Sequence, residues 1–239
     1  MKDDIGLVLV HGAGLGSFIW TDLRPMLDYP SLAIDFPNRN AGNKANADLT
    51  FHAYTKAVIA QIEKWNKKKL ILVVHSIGGC VGLKVAEHFK NSLVCFIAIS
   101  AAIPLNNNSF VSCLTFPKNL LMPIMLNLFG TKPPKKAIEK ELCNDLTVEQ
   151  TDKVITLFTP EAKQLYTKKI SYKRIDHETL YIKLTRDNSS PVSVQEKMAS
   201  NLNTTNIKTI ESGHLPMLSK PKQLSDILNK FIDEITTNR

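Results

Sequence analysis

Long uninterrupted apolar runs are absent from this 239-residue chain. Its greasiest stretch, Phe110 to Phe129, is broken by Pro117, Lys118, Asn119, Pro123 and Asn127. That argues against a membrane span and for a lid whose side chains pack mostly on one another. The N-terminus, Met1-Lys-Asp-Asp-Ile5, puts two acids ahead of the first apolar run. It lacks the basic and then apolar layout of a secretory signal, so a cytoplasmic protein is expected. Cysteine is scarce: Cys80, Cys95, Cys113 and Cys143 stand far apart, with no CxxC pair and no Cys/His cluster of metal-site spacing. Buried free thiols are therefore expected, and neither a metal nor a cofactor. Internal repeats and low-complexity tracts are missing too. With 44% hydrophobic and 22% charged residues the composition is that of an ordinary globular protein, not a disordered one. At this length one domain is the better expectation, with ample chain to bury a core.

What the chain has in excess is lysine. The formal net charge of +8 comes largely from short runs such as Lys67-Lys-Lys69, Lys135-Lys136 and Lys168-Lys169. They fall at the expected ends of elements with little aromatic interleaving, which fits a solvated surface and not a nucleic-acid site.

Six short apolar runs read as strands: Ile5 to Val10, Ser31 to Asp35, Leu70 to Val74, Val94 to Ile99, Thr179 to Leu184 and Asn206 to Ile210. Continuous apolar runs of this length are the mark of strands buried on both faces. Helical patterns separate them, around Ser17 to Leu27, Thr50 to Trp65, Gly78 to Phe89, Val192 to Leu202 and Pro221 to Ile235. Leu224, Ile227, Leu228, Phe231 and Ile235 make one apolar face of the last. This alternation implies an α/β fold, a mostly parallel sheet of about six strands flanked by helices. It fails once, between Pro104 and about Asp176, where helix-like pieces at Pro134 to Leu142 and Val148 to Phe158 suggest an inserted helical cap. The expected division is a core of 1–103 and 177–239 with a cap of 104–176.

In an open parallel sheet, reactive groups gather at the carboxyl ends of the strands. There the third strand ends at Ser76, the fifth is followed by Asp187 and the sixth by His214, while the first leads into His11-Gly-Ala-Gly14. A serine hydroxyl is almost wholly protonated at neutral pH and needs a base. A histidine held in one tautomer by a carboxylate supplies it. Serine, acid and histidine appear in that chain order, each just past a strand.

On these residues the chain resembles the α/β-hydrolase superfamily along nearly its whole length, and within it the small esterases and hydroxynitrile lyases. The likeness is carried by Leu9-Val-His-Gly-Ala13, Val74-His-Ser-Ile-Gly-Gly79 and Ser212-Gly-His-Leu-Pro-Met-Leu-Ser-Lys-Pro221. The chain begins at the strand before His11-Gly12, so the two leading strands of larger members are expected to be absent. The resemblance implies that Ser76 is the nucleophile, His214 its base and Asp187 the orienting acid. It also implies an oxyanion hole made by the backbone N–H groups of Ile77 and Ala13, each such donor being worth about 3 kcal/mol of transition-state stabilisation.

One position departs from the family's G-x-S-x-G pattern: Val74 stands where the first glycine belongs. Its branched side chain needs a gap beside the following helix, and Gly78 and Gly79 are the expected providers. Asp176 is a competing acid. His11 is expected to fix its loop by hydrogen bonding and His75 to pack inside the turn, while His52, His88 and His177 are given no chemistry. Ser100-Ala-Ala-Ile103, where some members place the acid, has no carboxylate.

The hydroxynitrile lyases of the family are associated with a threonine in the first motif and a lysine after the catalytic histidine. This chain has Gly12 or Ala13 and Leu215 there. An esterase is therefore expected, working through an acyl-serine intermediate on a small-molecule ester with an apolar portion. Two alternatives stand beside it: a small-molecule receptor of the same fold with little turnover, and a lyase on the same scaffold. A homodimer is compatible with the sequence.

Overall fold

The computed structural model describes residues 4–39 and 45–237, so the Met1 to Asp3 part of the leader reading lies outside it. The strands are β1 (Ile5–Val10), β2 (Ser31–Ala33), β3 (Lys69–His75), β4 (Leu93–Ile99), β5 (Glu178–Leu184) and β6 (Ile207–Ile210). All pair in parallel, in the spatial order β2-β1-β3-β4-β5-β6. The helices are α1 (Phe51–Trp65), α2 (Gly78–His88), α3 (Lys118–Phe129), α4 (Lys135–Leu142), α5 (Val148–Leu157), α6 (Lys163–Thr167), α7 (Val192–Leu202), α8 (Pro216–Ser219) and α9 (Pro221–Thr237).

The two-residue period of a strand decides which helix each side chain meets. Val8, Val10, Leu72, Val74, Phe96 and Ala98 share one core layer with α1, α2 and α7. Their sequence neighbours Leu7, Leu9, Ile71, Val73 and Ile97 share the opposite layer with α9. Both faces of β1 and β4 are therefore buried, which is why those strands read as unbroken apolar runs. Local sequence sets several helix ends. Thr50 Oγ1 accepts from the Ala53 N–H at the start of α1, and Thr147 and Gln150 close a capping box on α5.

Two expectations change. Ser17 to Leu27 does not form a helix but two short 3-10 turns, Ser17–Trp20 and Arg24–Met26. Pro25 lacks the N–H that a continuous helix needs there, and its ring opposes the preceding turn. The second strand stops at Ala33, short of Asp35; as an edge strand it has a partner on one side only.

The order of strands reverses beside β1, with β2 on one side and β3 on the other. Loops leaving β1 and β3 therefore diverge and open a crevice at their carboxyl ends. The segment between β4 and β5, carrying α3 to α6, lies over that crevice.

Candidate active site

Ser76 follows β3 directly and holds φ = +54°, a left-handed conformation that costs a serine about 1–3 kcal/mol unless its surroundings impose it. Three backbone hydrogen bonds do so. The Ser76 N–H donates to Ile99 O at 3.3 Å, while the Gly79 and Ala102 N–H groups donate to Ser76 O at 3.0 and 2.9 Å. The turn carries the hydroxyl clear of the sheet, with Oγ 3.1 Å from His214 Nε2.

His214 lies beyond β6 and is almost wholly buried. Its Nδ1–H donates to Asp187 Oδ2 at 2.7 Å, which leaves Nε2 free to accept from the serine hydroxyl. Asp187, past the end of β5, receives three further donors: Ser100 Oγ at 2.7 Å on Oδ2, and the Ser189 and Ser190 N–H groups at 2.8 and 2.9 Å on Oδ1. Burial by itself raises this carboxyl's pKa. The adjacent His214 and the donors outweigh burial and hold it below its ordinary 3.8, so Asp187 is an anion facing the ring.

Ala13 and Ile77 both line the cavity that holds Ser76. Among the described residues neither amide donates to any acceptor. Ile77 immediately precedes α2, so its N–H also lies at the positive end of that helix.

Val74 finds its gap one turn later than expected. A Cβ at Gly82 would come within 2.4 Å of Val74 Cγ1, so it is Gly82 that makes room for the branched side chain. Gly78 and Gly79 are crowded by backbone instead, by His11 O and Ala102 O. Val74 is fully buried and stays out of the cavity lining.

The other sequence candidates separate cleanly. Asp176 pairs with Lys90 on the surface, away from the histidine. His11 fixes its loop as expected, its Nδ1–H donating to Gly12 O while Nε2 accepts the Phe36 N–H. His75 packs against the His214 ring and donates from Nε2 to His214 O. Burial, and then the neighbouring His214, push its pKa down to about 3, so it stays neutral. His88 contacts exposed Glu63. The four cysteines form no disulfide and are buried, and burial pushes the thiols of Cys113 and Cys143 up to about 12 and 11.

Three residues at the site carried no warning in the sequence. Ser100 directly follows β4 with φ = +39° and reaches Asp187; a serine hydroxyl that serves the acid from the neighbouring strand end has no signature in spacing. Asp145 accepts the Gly213 N–H at 2.6 Å, next to His214. Glu161 accepts the Gly14 N–H at 3.1 Å and pairs with Arg39, and the Thr159 N–H donates to Gly14 O at 2.9 Å. The segment between β4 and β5 thus grips the loops bearing both Ala13 and His214.

Together these groups border a cavity of about 530 Å³. Its floor holds Ser76 and His214, and α3 supplies Leu121, Met122, Met125 and Phe129 to its wall. The expectation that the greasy stretch packs mostly on itself is corrected: in α3 only Leu126 is buried, because the helix lies over an open cavity and not over a core of its own.

A family model described as "Alpha/beta hydrolase family" matches residues 7–227. The chain is 26% identical to norfluorocurarine synthase 1 of a Strychnos species, over 98% of this chain and 97% of that one. It is also 26% identical to methylesterase 10 of Arabidopsis thaliana, over 94% and 90%. Among solved structures it superposes on an extracellular alpha/beta-hydrolase from a Paenibacillus species with a TM-score of 0.84 at 20% identity, covering 95% and 98% of the two chains. That protein is described as sharing structural and functional homology with tobacco salicylic acid binding protein 2.

Proposed function

Given that the chain belongs to the alpha/beta hydrolase family, we propose that it is a carboxylesterase that cleaves small apolar esters through an acyl-Ser76 intermediate. The observation that carries the reading is the unbroken relay from Ser76 Oγ through His214 to Asp187, opening into a mostly apolar cavity. As Ser76 Oγ attacks the ester carbonyl, His214 Nε2 takes its proton and Asp187 stabilises the resulting imidazolium. The oxyanion that forms turns toward the Ile77 and Ala13 N–H groups, which donate to no acceptor among the described residues. His214 returns its proton to the departing alkoxide, then deprotonates the water that releases the acid. Segment 104–176 caps the core of 1–103 and 177–239, excludes bulk water and supplies the apolar wall that selects the substrate.

Hydrolysis of a p-nitrophenyl ester series from short to long acyl chains tests this, with labelling by a serine-directed sulfonyl fluoride. Ser76→Ala is expected to lower kcat by on the order of 10⁴-fold or more and to abolish the label. Activity persisting in that variant, with a label elsewhere, sinks the mechanism. A second reading, non-hydrolytic chemistry at the same residues, has one finding in its favour, the likeness to norfluorocurarine synthase 1. Product analysis in the same assay separates the two. A cyanide-releasing version has no support, because the residue after His214 is the fully buried Leu215 and not a cation.

A further inference from the structure

Helix α3 carries two adjacent apolar rows. Leu121, Met125 and Phe129, spaced by four residues, line the cavity above Ser76. Leu120, Ile124 and Leu128, one position earlier in each turn, take no part in the cavity and are 61%, 54% and 70% exposed. Phe116, four residues before Leu120, adds a ring that is 77% exposed. Single exposed apolar side chains need no explanation, but a contiguous row of large ones marks a surface that something covers.

Charge decides what that is. No Asp or Glu occurs between Glu87 and Glu139, whereas Lys118, Lys132, Lys135 and Lys136 all fall there. Lys118 opens α3, and Lys163 donates from Nζ to Asn127 Oδ1 on α3 itself. Lys118 and Lys136 are exposed and make no ion pair among the described residues, whereas Lys135 lies against Glu139 and Asp152. An apolar helical row flanked by lysines and free of acids is the pattern of a helix that lies in the interface of an anionic lipid layer. At 12 residues, with Pro123 inside it, α3 is too short to cross one. A second copy of this chain fits less well. A two-fold pairing through the same row sets the lysines of one copy against those of the other.

We propose that α3 docks the protein onto anionic lipid, with Phe116, Leu120, Ile124 and Leu128 among the acyl chains and the flanking lysines among the phosphates. Docking brings the cavity wall formed by the neighbouring row against the lipid, so an apolar molecule passes from the layer to the cavity without crossing water. The proposal stands on this surface alone and does not require that Ser76 hydrolyse esters.

Flotation with phosphatidylcholine vesicles, with and without phosphatidylserine, tests it on the intact protein. The wild type is expected to float with the serine-lipid vesicles, to be released by high salt and to bind the neutral vesicles weakly. An Ile124→Asp, Leu128→Asp double variant is expected to lose roughly tenfold or more of that partitioning. Its far-ultraviolet circular dichroism and denaturation midpoint should match the wild type, which reports that it is folded, and any turnover of a soluble short-chain ester should match too, since neither residue lines the cavity. A Lys136→Glu, Lys163→Glu variant should lose the preference for anionic lipid with the apolar row intact. No flotation by the wild type, or equal flotation by the Asp variant, overturns the proposal. So does a wild-type dimer by light scattering that the Asp variant turns into a monomer, which assigns the row to a second copy. A Ser76→Ala protein that floats normally yet hydrolyses nothing keeps lipid docking separate from the esterase reading.

Discussion

At the scale of single residues, the site depends on side chains whose value comes from what they hold. Ser100 is one: its hydroxyl shares Asp187 Oδ2 with His214 and fixes which carboxylate lobe faces the ring. Ser100→Ala is expected to lower kcat about tenfold with KM little changed, because the substrate is still bound while the histidine is less well oriented. It should also cost about 1–3 kcal/mol of stability, since a buried carboxylate loses a donor. Steady-state kinetics and urea melts on one preparation check both; a change confined to KM removes Ser100 from this role. Ser76 is the second such residue, its left-handed backbone tolerated only because Ile99, Gly79 and Ala102 hold both its peptide groups.

At the scale of elements, the junction of β3 and α2 shows how a missing motif residue is absorbed. The usual glycine two places before the serine is replaced by Val74, and the space appears at Gly82, one turn into the facing helix. The pair should therefore be coupled. Gly82→Ala alone is expected to cost about 1–3 kcal/mol, because its new methyl meets Val74 Cγ1 and overpacks the layer. Val74→Ala alone should cost about 2 kcal/mol through the cavity it leaves. Combined, they should cost about 1–2 kcal/mol less than the sum, the added methyl filling the space the valine vacated. Additive losses in a double-mutant cycle on denaturation midpoints rule out this account of Val74.

At the scale of the whole molecule, the segment between β4 and β5 is joined to the loops of the sheet through two acids, the half-buried Asp145 and the buried Glu161, and the charge of Glu161 sets a pH dependence. Burial raises the pKa of Glu161 more than Arg39 lowers it, so in the folded protein it lies above the ordinary 4.5. An acid with a raised folded pKa is penalised when ionised and relieved as pH falls from that raised value to 4.5. Wild type should therefore gain stability relative to Glu161→Gln as pH falls through that window. Denaturation at a series of pH values measures the difference, and parallel curves for the two proteins would exclude the clamp's charge as its source. Asp187 acts with the opposite sign and lower on the scale. Its depressed pKa contributes stability above 3.8 that is lost as pH falls through the folded value. The sequence by itself determined the six-strand parallel sheet, because buried parallel strands and amphipathic helices impose their periods residue by residue. It also determined which Ser, Asp and His stand past the ends of those strands, because chain order and strand ends are local facts. It could not determine Ser100, Asp145 or Glu161 as neighbours of the site, nor Gly82 as the space for Val74. Nor could it separate the row of α3 that faces the cavity from the row that faces out. Hydrogen bonds spanning up to 147 residues, and a helix apolar on more than one side, have no signature in spacing or composition. Only the packing of helices on the sheet, and of the segment between β4 and β5 over its strand ends, decided them.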